Sequence, residues 1–152
     1  MAFDGEEATS VLVWFEDNRE GRAALLHAYE IADAEGADLT VLTVATQERV
    51  AGCGVCMSGT VLWNHEMKKI AQEELAVARR MLDGAGQVSY ETAVGDPDEA
   101  IAEAAWRAGA LTVVLPWHRN RLLEPPNRRD VCEKVVRRGP WQVIAGPQPV
   151  RR

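Results

Sequence analysis

Apolar positions along this chain recur with two different periods, and the periods alternate. A continuous apolar run falls at Val11 to Phe15, and mainly apolar runs fall at Leu39 to Val44 and Leu111 to Leu115. Runs this short read as strands buried on both faces. Residues 88–94, "VSYETAV", alternate in part with period two and read as a further strand, as does Trp141 to Ala145 after a Gly-Pro break. Between the strands the apolar spacing becomes helical. Ala24, Leu25, Ala28, Ile31 and Ala32 share one face, with Asp17 or Asn18 as the N-cap and Gly36 as a left-handed stop. Trp63, Met67, Ile70, Ala71, Leu75, Ala78 and Leu82 mark a long second helix that Gly84 and Gly86 end. In "GDPDEAI", Asp96 suits an N-cap, Pro97 the first helical position and Glu99 a capping box, for a helix running to Gly109. A fourth helix spans Asp130 to Arg138, with Val131, Val135 and Val136 on its inner face. Residues 45–60, with Gly52, Gly54 and Gly59, read as a loop.

The order is β-α-β-α-β-α-β-α-β. Alternation of this kind predicts an open α/β fold, a parallel sheet with helices on both faces, in one domain over residues 1–152. Ligands of such sheets bind beyond the carboxyl ends of the strands, where the winding reverses. In a five-stranded sheet that point usually follows strand one. The candidate site is then Glu16-Asp17-Asn18 facing Trp117-His118-Arg119.

Composition narrows the partners. The chain has 17 basic and 23 acidic residues, a formal net charge of −6. Duplex nucleic acid is a poor partner for such a chain, because its affinity comes mainly from cationic contacts. No apolar run reaches the ~18 residues of a membrane span. The opening "MAFDGEEATS" is acidic and lacks the apolar core of an export signal. With three cysteines, an odd count, free thiols in a reducing cytoplasm are expected.

Two constellations carry possible chemistry. Arg119, Arg121, Arg128 and Arg129 stand near Glu124 and Asp130. They form either an anion site of guanidinium forks or a solvated loop paired to acidic helices. Beside them, Trp117 could stack on a ring and His118 could change charge near neutral pH. The second constellation is "CGVC", Cys53 to Cys56. That spacing suits half of a zinc site, with His65 as a third ligand, or a redox dithiol; inert thiols are the alternative. A helix cap at Ser58 or Thr60 would lie just beyond Cys56. Cys132 reads as a small buried residue, and His27 as structural. No Walker loop, G-x-S-x-G or H-E-x-x-H is present, so nothing specifies an enzyme.

Three stretches in order, "SVLVWFEDNREGRAALLHAYEIADAEGADLTVLTV", "VGDPDEAIAEAAWRAGALTVVL" and "DVCEKVVRRGPWQVIAG", resemble the universal stress protein family. The resemblance implies strand order 3-2-1-4-5 and a homodimer along the last strand, Trp141 to Ala145. It also implies a test for ATP. Nucleotide-binding members carry Gly, two residues, Gly, nine residues, then Gly and Ser or Thr after strand four. Those places fall here at Pro116, Arg119, Arg129 and Asp130. Glu16 stands where the family usually ends strand one with Asp, and Trp14 where a small residue is usual. Pro116 has no N–H to give a phosphate, and Asp130 would place a negative charge at a helix start. The expectation is a dimeric regulatory or protective binding protein, acting with an unidentified protein partner and no cofactor. One alternative is an ATP or AMP binder with an altered loop. The other is a thiol or zinc sensor using Cys53 and Cys56.

Overall fold

A computed structural model describes residues 9–45, 57–83, 85–116 and 131–147, with side chains for all of these except 57–63, 132 and 133. The elements are β1 (Ser10–Trp14), α1 (Arg19–Glu35), β2 (Asp38–Ala45), α2 (Met57–Met81), β3 (Val88–Val94), α3 (Pro97–Ala108), β4 (Thr112–Leu115), α4 (Val131–Arg138) and β5 (Gln142–Ala145). All pairings are parallel, in the order β3-β2-β1-β4-β5. The expected fold class and strand order are therefore the observed ones.

β1 lies at the centre and is buried along its whole length. Its alternate side chains feed two cores, as the pleat requires. Val11, Val13 and Phe15 pack with Ala24, Leu25, Ala28 and Ala32 of α1 and Ala78 of α2. Leu12 and Trp14 join Ile101, Ala104 and Ala105 of α3 and Val131 and Val135 of α4. The inner helix faces are rich in alanine, which brings helix and sheet close together.

Several boundaries differ from the sequence reading. α2 starts at Met57, within the stretch read as a loop, so Ser58 and Thr60 lie inside the helix rather than capping it. Leu111 is half exposed and β4 starts one residue later. Trp141 precedes β5; its Nε1 donates to the Val135 carbonyl at 2.9 Å, tying it to α4. Val136 is 51% exposed, not on the inner face. Val131 and Val135, four residues apart, form the inner stripe, and Val136 is turned about 100° away from it. Asp96 occupies the N-cap position before Pro97, but its side chain makes no cap hydrogen bond.

Candidate functional site

The winding of the sheet reverses between β1 and β4, since β2 lies on one side of β1 and β4 on the other. Trp14 and Leu115 end those strands. Beyond β1 the chain turns sharply into α1. Asn18, not Asp17, is the N-cap: its extended backbone lets Oδ1 accept the Gly21 N–H at 2.7 Å. Gly21 must lack a side chain, because a Cβ there would collide with the Glu16 carbonyl. Asp17 is held from two directions. Its Oδ1 accepts from Arg22 Nε at 2.9 Å and Nη2 at 2.7 Å. Its N–H donates to Glu74 Oε2, on α2, at 2.7 Å. Glu74 was invisible to sequence reasoning, since 57 residues separate it from Asp17 and no local spacing links them.

This turn is therefore preformed and acidic. A groove of about 540 Å³ runs beside it, lined by Asp17, Ile70, Glu73, Glu74, Val77 and Arg80. Glu16 is half-buried at the end of β1. On the β4 side, Pro116 is buried immediately after the strand, and the Gly146 N–H reaches the Leu115 carbonyl at 2.7 Å. Trp117, His118, Arg119 and Arg129 lie outside the described residues, as do Arg121, Glu124, Arg128 and Asp130.

Cys53 and Cys56 also lie outside the described residues. His65 is exposed on α2, nine residues before Glu74, which is about 13 Å along a helix. The fold therefore does not bring it to the Glu16–Asp17 turn. Among the described residues no three His, Cys, Asp or Glu side chains gather as a metal site. His27 is half-buried on α1. Among the described residues no helix is long and apolar enough to cross a membrane.

A second charged groove, about 490 Å³, lies between α3 and α4 and is lined by Asp96, Pro97, Asp98, Glu99, Lys134, Arg137 and Arg138. The acids at the start of α3 read from sequence as capping residues. Asp98 instead meets Arg138 Nη2 at 3.0 Å, with its side chain only 10% exposed, and Glu99 lies 3.9 Å from the same guanidinium.

The profile of the Universal stress protein family matches residues 8–145. The chain belongs to this family. No individual curated protein matches the sequence. Among solved structures, the chain is similar to a universal stress protein from Lactobacillus plantarum, with 19% identity and a TM-score of 0.76 over 92% of this chain and 98% of that one. A family protein from Burkholderia pseudomallei gives 19% identity and a TM-score of 0.68 over 96% and 99%. A universal stress protein solved in complex with cAMP gives 21% and 0.55 over 91% and 96%. At these identities the likeness shows a shared fold.

Proposed function

We propose that this family member is a regulatory or protective binding protein that works as a dimer, without the ATP cradle of its nucleotide-binding relatives. Pro116 carries the reading. It is buried at the carboxyl end of β4, where a phosphate cradle would need a backbone donor, and proline has none. The β1–α1 turn supports it, because the Asp17 N–H holds the Glu74 carboxylate beside the Asp17 carboxylate just beyond β1, where the two acids disfavour a polyanion. Binding then falls to a protein partner or to a ligand with less charge than a triphosphate. The position of β5 at a sheet edge supports the dimer.

The relative solved with cAMP favours a second reading, in which the crevice takes a nucleoside monophosphate on an altered loop. Thermal unfolding separates the two. ATP at millimolar concentration, with or without magnesium, is expected to leave the melting temperature unchanged. Binding at 100 times Kd would add about 2.7 kcal/mol, a shift that is easily seen. A magnesium-dependent rise with ATP would overturn the proposal. A rise with AMP or cAMP alone would establish the second reading in its place.

A further inference from the structure

We infer that the outer face of α2 is a docking surface for a second copy of this chain. The two helices lie antiparallel about a two-fold axis, with Glu73 of each copy set against Arg80 of the partner subunit. This goes beyond the reading above and does not depend on the edge of β5. α2 packs on β2 and β3, at the far end of the sheet from β5.

The sequence of the helix makes the pairing self-complementary. The stretch Glu73-Glu74-Leu75-Ala76-Val77-Ala78-Arg79-Arg80 has two acids at one end, two bases at the other and only apolar residues between. Turned end for end about the point between Ala76 and Val77, it sets acids against bases at both ends. A two-fold interface requires this property, because each contact made by one copy is repeated by the other. The inner charges are engaged within the chain: Glu74 accepts the Asp17 N–H at 2.7 Å, and the Arg79 guanidinium lies over Tyr90. The outer pair, Glu73 and Arg80, is exposed. They stand on the same side of the helix, two turns and about 10 Å apart.

The surface around them has the shape that receives a helix. Two grooves, of about 540 and 570 Å³, flank the line of Ala76 and Arg80, which belongs to both. Helices pack by seating the side-chain ridges of one in the grooves of the other. Ala76 is exposed, and its small side chain lets two helices approach closely there. Ile70 is 43% exposed and Val77 half-buried on the wall of one groove, so pairing removes apolar surface from water. Residues 70–80 cover about 16 Å of one helix, too little for the roughly 800 Å² per partner of a standard interface, so the association is weak and concentration-dependent.

Sedimentation equilibrium of the full chain, from micromolar to submillimolar concentration, tests this. The average mass of the wild type should rise over that range. Glu73→Arg sets arginine against arginine in every pair, and Arg80→Glu sets acid against acid, so neither variant alone should show the rise. The double variant Glu73→Arg/Arg80→Glu should regain it. An equimolar mixture of the two single variants should regain it too, because each then supplies the charge the other lacks. The mixture also separates lost pairing from lost folding, since a misfolded variant would not be rescued. The inference is overturned if the wild type shows no rise, or if the single variants rise as the wild type does. It is equally overturned if either the double variant or the mixture stays at the mass of the single variants. A wild type that starts as a monomer at micromolar concentration would count against the β5 dimer alone, since pairing through α2 is read from the rise above the starting mass.

Discussion

Tyr90 shows how one side chain couples packing to pH. It is half-buried on β3, with the Arg79 guanidinium carbon 4.8 Å from its ring centroid. Burial pushes its phenol above the ordinary value of 10.0; the Arg79 charge pulls it down and Asp83 pushes it up. The neutral phenol is thus favoured by the fold, and the unfolded chain ionises first. Its contribution to stability is full below the unfolded value and is lost as pH rises through the folded one. Tyr90→Phe should therefore flatten the alkaline loss of stability, read as the urea midpoint from about pH 9 to about pH 11.5. Identical alkaline slopes for the two proteins would show that Tyr90 does not couple to folding. The sequence gives no hint of this: Tyr90 and Arg79 are eleven positions apart on different elements. By contrast, the cap at Asn18 and the stop at Gly36 were legible, because both act within a few residues of themselves.

Helix-to-helix contacts were the least legible feature at the scale of elements. α3 and α4 pack over one face of the sheet, and Asp98 reaches Arg138 across 40 residues of sequence. Asp98 is nearly buried while Arg138 is 41% exposed, so solvent screens part of the attraction. Removing Arg138 leaves a carboxylate with little access to water. Arg138→Ala should cost about 1–2 kcal/mol, and the Asp98→Ala/Arg138→Ala double variant less than the sum of the single ones. A double-mutant cycle by urea denaturation measures this, and strictly additive costs would mean the pair does not bind α3 to α4. Val136 carries a related lesson. In a helix of eight residues, two apolar positions four apart are enough to define the buried stripe, and a third apolar residue need not join it.

For the whole molecule, the sheet edges are where a second chain can join. β5 is an edge strand that, among the described residues, pairs only with β4. Unpaired edges invite a second chain. Val143 and Ile144 are half-buried there and point to opposite faces, so a partner strand would cover apolar surface above and below. A two-fold dimer along β5 should sediment at twice the monomer mass at micromolar concentration. Replacing the central Val143 with proline, which cannot donate to a ladder, should yield monomer. A wild-type monomer at that concentration would rule the dimer out.

The sequence by itself determined what depends on near neighbours. Apolar runs and helical spacing marked each of the nine elements found among the described residues, because burial selects side chains with the period of each element. Their alternation determined the parallel α/β class, because parallel strands need crossovers. Only the tertiary structure decided which distant groups meet. It joined Glu74 to Asp17, set Arg138 on Asp98 and put Trp14 in one core with residues of α3 and α4. Such contacts are fixed by how helices lie on the sheet, and local spacing carries no record of that.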